Sequence, residues 1–491
     1  MSSPGRRVAR NVTVLAGSQL ATWSATFVWM LVIPRALGPS AMGFLVTAWA
    51  ATGIMAVLMG LGTRNYLVRE MVATPERRPA LLGTALILRV ILLAPALLVM
   101  AAYAAVAHFP PVETQILYLA TGATCLALLG EPLLAGFQAI ERMEYIAYGD
   151  VINKAVQAIG GIGLVAIGLG ARALSIWWVT IMAVILVLNL WWMRHHIAID
   201  FTFALGRIRT LLRESIAYWT FGLFFTVYLW IDSVMLAAMT PAAVVGWYGV
   251  PTKLFNALMF APVILATAWL PRLITAFGES PERLRVIART PVELVLVISL
   301  PVAAGAATIA TPLIRTLYGP AFAPAAPVFA ILALACVPMY LNIMLNQVLI
   351  AEKRQAVWTR AMILACVLNP ALNFALIRVF QGRSGNGAIG AAVSLLVTEL
   401  VLGLVGLVIV TGLFSRPFVE RLVRAAVATA GMVLAAWAVR SFGLVAQVAV
   451  GAVSYPALAF VLGVASAEQL ADVRRLSGRL SQLIPARQSA R

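Results

Sequence analysis

The sequence predicts an all-α, polytopic membrane protein of about 14 transmembrane helices: two six-helix halves and two further helices at the C-terminal end. Three observations carry that expectation. Apolar stretches long enough to cross a bilayer follow one another with little between them. The 491-residue chain is 62% hydrophobic and only 11% charged, with most charges in the gaps. Two short motifs recur in corresponding loops.

A span needs roughly 20 apolar residues, because about 30 Å of hydrocarbon is crossed at about 1.5 Å per helical residue. Read in order, such runs fall at 11–33, 42–62, 80–106, 115–135, 146–168, 171–193, 212–238 and 245–270. Six more follow at 290–311, 326–350, 357–378, 387–413, 421–439 and 443–465. Barrel strands are excluded by length, since they are about 10 residues of alternating polarity and these runs are continuous. With no water to satisfy the backbone, continuous runs of this kind must be helices. Arg6, Arg7 and Arg10 precede the first run in the manner of a signal peptide. Its apolar part exceeds the usual core of about 7–15 residues and a second span follows closely, so it reads as a retained helix.

A net charge of +18 would suggest a nucleic-acid partner in a soluble protein, but its distribution excludes that here. With the N-terminus placed in the cytoplasm, 27 of the 36 Lys and Arg fall in inside segments, 6 in outside loops and 3 within spans. That asymmetry is the positive-inside pattern, and it places both termini in the cytoplasm. Most basic residues are then topology signals and contacts with anionic membrane lipids. The tail 466–491 carries Arg474, Arg475 and Arg479 among Leu470, Leu476, Leu480 and Leu483, the pattern of a basic amphipathic helix on the inner leaflet. Cys125, Cys336 and Cys366 all fall within spans, which implies neither disulfide framework nor metal cluster.

The stretch Gly38-Pro39-Ser40-Ala41-Met42-Gly43-Phe44 joins the first two spans, and Thr240-Pro241-Ala242-Ala243-Val244-Val245-Gly246-Trp247 joins the seventh and eighth. Pro75-Glu76-Arg77 precedes the third span and Pro281-Glu282-Arg283 the ninth. The matched prolines stand 202 and 206 residues apart. Residues 1–193 and 213–413 therefore read as duplicated halves joined by a cytoplasmic linker, 194–212, with two extra helices over 414–465 and the basic tail 466–491. Six spans is an even number, so the halves enter from the same side as a parallel repeat, an arrangement that usually encloses a cavity and suits a rocking carrier.

These loops resemble a known family, the polysaccharide-exporter or O-antigen flippase branch of the multidrug/oligosaccharidyl-lipid/polysaccharide (MOP) flippase superfamily. The residues that carry the resemblance are Arg35-Ala36-Leu37-Gly38-Pro39 with Gly43, then Gly60-Leu61-Gly62 with Leu67-Val68-Arg69-Glu70. In the second half they are Ile231-Asp232-Ser233-Val234-Met235, Val245-Gly246-Trp247-Tyr248, Lys253-Leu254, Pro271, Leu317-Tyr318-Gly319-Pro320-Ala321-Phe322 and Gly387-Ala388-Ile389-Gly390-Ala391-Ala392. The ordered matches run through residues 11–413. The resemblance implies a MATE-like fold in a bacterial inner membrane. It implies transfer of an undecaprenyl-diphosphate-linked oligosaccharide from the inner to the outer leaflet. A polysaccharide polymerase and glycosyltransferases are the partners it suggests. Lipid II flippases typically show an acidic residue after the first Leu-Gly turn and a Glu-Gly turn after the second helix. Here those places read Ala41-Met42-Gly43-Phe44 and Leu61-Gly62-Thr63-Arg64.

Ionisable groups at bilayer depth cost about 2.5–3.5 kcal/mol each on insertion scales, so each calls for a reason. Arg89 and Lys253 are the expected substrate cations, Arg for bidentate phosphate contacts and Lys as a point charge. Asp232 is counted with the substrate site too, because it lies at a depth similar to Lys253 on the preceding antiparallel helix. The bland reading pairs Asp232 with Lys253 and lets Arg89 snorkel to the inner headgroups. Glu399 is the deepest acid and the expected ion-coupling group, or else a neutral carboxyl bonded to Thr398, Asn369 or Asn373. Asp150 and Lys154 stand i, i+4 and can pair with each other, while Glu131 and Glu293 lie near enough to the inner surface for solvation. His108, His195 and His196 have no ligand or triad partner at telling spacing, and no phosphate-binding Gly-Lys-Ser/Thr loop occurs. The expectation is a secondary carrier without cofactor, metal or enzymatic activity. The other readings are a cation-coupled multidrug exporter, a lipid II flippase, or a non-transporting scaffold of a polysaccharide-assembly complex.

Overall fold

A hydrocarbon layer offers the backbone no hydrogen-bond partners, so a chain this apolar closes every amide within its own helices. The structure, a computed structural model, describes residues 4–464, with side chains from residue 26 onward apart from 217, 218 and 221. The amphipathic tail expected over 466–491 lies outside the described residues. Among those residues every regular element is a helix. The first six are α1 (Pro4–Gly60), α2 (Thr63–Ala73), α3 (Arg78–Ala107), α4 (Pro111–Ala139), α5 (Met143–Ala166) and α6 (Ala171–Met193). Next come α7 (Leu205–Met239), α8 (Ala242–Leu258), α9 (Phe260–Glu279), α10 (Pro281–Thr308) and α11 (Ala310–Tyr318). The chain continues through α12 (Ala325–Ala351), α13 (Gln355–Ser384), α14 (Gly387–Ile409), α15 (Arg416–Ala438) and α16 (Leu444–Val461).

Among the described residues, 11 helical segments are long and apolar enough to cross a membrane, fewer than the 14 or so expected. Two causes account for the difference. The segment Thr26–Ala73 counts once although Gly38, at φ 78°, breaks the helix inside it. The spans expected at 146–168 and 421–439 do form α5 and α15, but polar and charged residues lower their hydropathy: Glu144, Asp150 and Lys154 in one, Arg416, Glu420, Arg421 and Arg424 in the other. The expected connection 194–212 is also partly helical, since α7 already begins at Leu205. The span expected at 245–270 is two helices, α8 and α9, meeting at Met259.

Contacts divide the chain into two units. Unit one takes the chain up to Leu254 with Ile314–Leu332 and Thr359–Thr398. Within it α1 packs on α4, α5 and α7, and α4 on α6. A fully buried cluster of Leu67, Met71, Leu82, Leu133, Phe137 and Met193 joins α2, α3, α4 and α6. Unit two takes Phe255–Leu313, Ala333–Trp358 and the chain from Glu399. There α10 packs on α9 and α15, and α15 on α16. Glu293 of α10 is not left to solvent: it pairs with Arg421 of α15 at 2.8 Å. Arg289 donates to the Gly412 carbonyl at 2.9 Å, and the Tyr455 hydroxyl to the Val297 carbonyl at 2.8 Å.

Lipid tails are as apolar as leucine, so helices in a membrane gain little from hiding apolar surface and associate through close packing. The two matched loops show this within unit one. A methyl group on Gly43 would overlap the Ala242 carbonyl, and one on Gly246 would overlap the Pro39 carbonyl. Each glycine receives the backbone of the loop that matches its own. Replacing Gly43 or Gly246 by Val should force backbone shifts costing at least about 1–3 kcal/mol. The expected readout is a lower thermal midpoint in detergent for either variant, while Gly163→Ala, at a position with open space around it, stays near the parent.

Candidate functional site

Unit one encloses a cavity of about 450 Å3 lined from α1, α4, α5, α6, α7 and α8. Four tryptophans stand in its wall: Trp29 and Trp49 from α1, Trp178 from α6 and Trp230 from α7. The rings of Trp29 and Trp49 are 5.4 Å apart at 55°. Polar groups come from Thr26, Thr52, Thr124, Asn153 and Gln157. Among the described residues its two charged lining residues are both lysines, Lys154 from α5 and Lys253 from α8, with no acid beside them. The Lys253 ammonium sits 5.3 Å from the Trp49 ring centre and 5.9 Å from that of Trp230. The rings attract the ammonium through their quadrupoles without neutralising it. Lys154 and Lys253 line the same cavity. Two like charges held together in a low-dielectric enclosure favour an anionic occupant.

Of the expected site residues, Lys253 lines this cavity. Lys154, read only as another intramembrane charge, lines it as well. The i, i+4 pair with Asp150 is not closed: no ion pair of the described residues joins them. Asp150 instead lines a separate space of about 110 Å3 with Asn189 and Asn153.

Asp232 faces away from the lysines. It is two residues beyond Trp230 on α7, roughly 200° around the helix at 3.6 residues per turn. Its carboxylate accepts from the Tyr248 hydroxyl at 2.7 Å and from Asn373 Nδ2 at 2.6 Å, and Asn373 also donates to Asn369 at 2.9 Å. The Asp232–Lys253 ion pair is therefore replaced by a buried network that uses the two asparagines once considered for Glu399. Glu399 is buried in unit two, where Asn342 Nδ2 donates to its carboxylate at 2.7 Å and to its backbone carbonyl at 3.0 Å.

Arg89 neither lines the cavity nor reaches a surface; it is 1% exposed. The chain leaves α1 at Gly60 and turns through Leu61 and Gly62, both at positive φ, before α2. This turn orphans carbonyls at the end of α1, and Arg89 from α3 answers them. It donates to the Met59 carbonyl, to the Gly60 carbonyl at 3.0 Å, to Thr63 Oγ1 at 2.7 Å and to Glu131 at 2.7 Å. Glu131 is thus a salt-bridge partner as well as a near-surface acid. From α7, Trp219 Nε1 donates to the Val57 carbonyl at 3.0 Å.

Sequence reasoning missed the tryptophans and the polar face of α5. Both left a signal. Membrane tryptophans concentrate at the two interfaces, whereas Trp49, Trp178 and Trp230 fall well inside apolar runs. Asn153, Lys154 and Gln157 share one side of a helix by spacing. Lysine itself was the sharper signal, since the chain has three lysines among 36 Lys and Arg, and two of them line this cavity.

The chain belongs to the polysaccharide biosynthesis protein family, whose model matches residues 8–277. The MatE family model matches residues 221–375. No curated protein matches. Among solved structures, the chain is similar to the lipid II flippase MurJ in an inward closed conformation. The two are 11% identical with a TM-score of 0.68 over 90% of this chain and 98% of that one. It is similar also to an inward-facing multidrug resistance MATE family transporter of the MOP superfamily: 14% identical, TM-score 0.59, over 83% of this chain and 95% of the other. A MOP superfamily transporter from Pyrococcus furiosus gives 12% identity and a TM-score of 0.51 over 84% and 96%. At these identities the likeness speaks for the fold.

Removing one partner of a buried ion pair leaves an uncompensated charge, at a cost of about 3–5 kcal/mol. Arg89→Met should therefore destabilise the protein strongly and expose the α1–α2 turn to proteolysis. Adding Glu131→Met should recover part of the loss, and a thermal-denaturation double-mutant cycle in detergent measures the coupling.

Proposed function

We propose that the protein is a flippase carrying lipid-linked oligosaccharide units from the inner to the outer leaflet of a bacterial inner membrane, with undecaprenyl diphosphate as the lipid carrier. The observation that supports this most directly is the cavity lining, with two lysines, four tryptophans and no carboxylate. A diphosphate leaving water needs cations that replace its hydration, and Lys154 and Lys253 supply them as mobile point charges. Sugars present apolar C–H faces beside hydroxyls. The tryptophan rings offer surfaces for the first, and Thr52, Asn153 and Gln157 offer hydrogen-bond partners for the second.

Transport proceeds by alternating access between the six-helix halves 1–193 and 213–413, joined by the segment 194–212, with 414–465 as an addition and both termini in the cytoplasm. Arg89 and Asp232 act on the substrate site indirectly, by fixing the helices that form its wall. Glu399 is assigned the coupling role, because a buried carboxyl in the interior of unit two, bonded to Asn342, can exchange a proton or accept a small cation. Glycosyltransferases that build the substrate and a polymerase that consumes it are the functional partners. A multidrug exporter fits less well, since a cationic drug would meet two ammonium groups and no acid in this lining.

The test is leaflet transfer of a fluorescent undecaprenyl-diphosphate oligosaccharide in proteoliposomes, with and without a proton gradient. A charge-assisted hydrogen bond contributes about 1.5–3 kcal/mol, so Lys253→Ala and Lys154→Ala should each slow transfer by roughly 10- to 100-fold. Glu399→Gln should remove any response to the gradient while substrate binding persists. Efflux of a cationic dye without transfer of any lipid-linked sugar would assign the protein to drug export instead.

A further inference from the structure

A second cavity, of about 410 Å3, lies in unit one where α3 and α7 begin. Arg77 and the first turns of α3 form one side, and Gly206, Arg207 and the first turns of α7 form the other. Tyr66 and Glu70 of α2 complete the lining. Neither helix start carries a side-chain cap. An uncapped helix start presents unsatisfied N–H groups and about half a positive charge, and the start of α7 does so beside this space, whereas at α3 the Arg78 amide is taken by the Pro75 carbonyl and Pro79 has no N–H.

The side chains reinforce that field. The Arg77 guanidinium has no ion-pair partner among the described residues and stands exposed beside the cavity. Arg207 is held by the Thr202 carbonyl at 2.8 Å and more loosely by Asp200 at 3.5 Å, which orients it without using up its fork of donors. The connection carrying Asp200 is itself pinned on α3. Its amide donates to the Pro79 carbonyl at 3.1 Å, and its own carbonyl sits where a side chain at Gly83 would be. Tyr66 is 5% exposed, yet its hydroxyl has no hydrogen-bond partner among the described residues and the residue lines the cavity. The ring is buried while the hydroxyl is left open to the cavity, where an incoming oxygen can complete it.

Glu70 narrows the ligand further. A bare inorganic anion would be repelled by its carboxylate, whereas an anion bearing hydroxyl groups could donate to it. We propose that this cavity binds a glycerophosphate group, with Arg77, Arg207, Tyr66 and the start of α7 on the phosphate and Glu70 accepting from a glycerol hydroxyl. The group can come from an anionic phospholipid headgroup or from a soluble glycerophosphate. The site is distinct from the lysine cavity and does not depend on what that cavity transports.

The full-length protein in neutral detergent would be titrated with short-chain phosphatidylglycerol, short-chain phosphatidylcholine, sn-glycerol 3-phosphate and inorganic phosphate, reading both binding and thermal midpoint. Phosphatidylglycerol or glycerol 3-phosphate should bind more tightly than phosphatidylcholine or inorganic phosphate. Binding of the lipid alone assigns a membrane source, and binding of the soluble ester assigns a cytosolic one. The Arg77→Gln/Arg207→Gln double variant should lose about tenfold or more in affinity. Tyr66→Phe, which keeps the ring, should lose severalfold. Arg283→Gln/Arg416→Gln, at exposed ion pairs in unit two, should bind like the parent. Equal loss in that control, unchanged binding in the cavity variants, or no glycerophosphate binding by the parent would each overturn the proposal. Because the readout is binding, leaflet transfer can fail while this site stands, and the reverse.

Discussion

The absence of water from the hydrocarbon layer is the constraint from which the rest of this structure follows. It forces the backbone into helices, and it forces each charge at depth to find a partner within the protein. Arg89 has two carbonyls, a hydroxyl and a carboxylate. Asp232 has a phenol and an amide, and Glu399 an asparagine. These groups meet the constraint from inside. Lys154 and Lys253 meet it differently, for they share a cavity with aromatic rings and neutral polar groups and no carboxylate. A charge satisfied by the fold holds structure. A charge left to a cavity is available to something that enters it.

The same constraint explains how positive and negative groups are kept apart. On α7, Trp230 turns to the lysine cavity and Asp232 to α8 and α13, so one helix separates the cationic space from the buried acid. Had Asp232 faced Lys253, the two would have neutralised each other and the cavity would carry little field. Tyr248 and Asn373 hold the carboxylate on the other side, and that arrangement leaves the ammonium facing the rings of Trp49 and Trp230.

Hydropathy made the helices legible because it reports the one variable that matters for insertion, apolar length. The run at 171–193 is α6 to the residue, and the starts of α12 and α14 fall within a residue of expectation. What hydropathy averages away is local conformation. The break at Gly38 and the meeting of α8 and α9 at Met259 sit inside apolar runs and leave no trace in a sliding mean. Side-chain partners were harder still. Sequence position gives depth along a helix. It does not give azimuth across packed helices, and azimuth decides that Asp232 meets Asn373 of α13, 141 residues away. Arg89 read as a substrate cation or a snorkelling side chain, and Glu131 as a solvated acid, for the same reason: their pairing depends on how α3 meets α4.

Arginine and lysine divide the labour of the buried cations. At the α1–α2 turn four acceptors lie in different directions around one point, and a planar guanidinium with five donors can meet them together where an ammonium with three could not. A group engaged in that many bonds is fixed, and the turn it fixes is shared by α2, α3 and α4. The cavity uses the other cation. An ammonium on a four-carbon stem has no preferred plane and exchanges partners readily, so it can follow an anion through a change of cavity shape without losing contact. A chain this rich in arginine still places lysine at both charged positions of the cavity wall. That choice is what a passing anion requires: attraction strong enough to replace water and loose enough to let go.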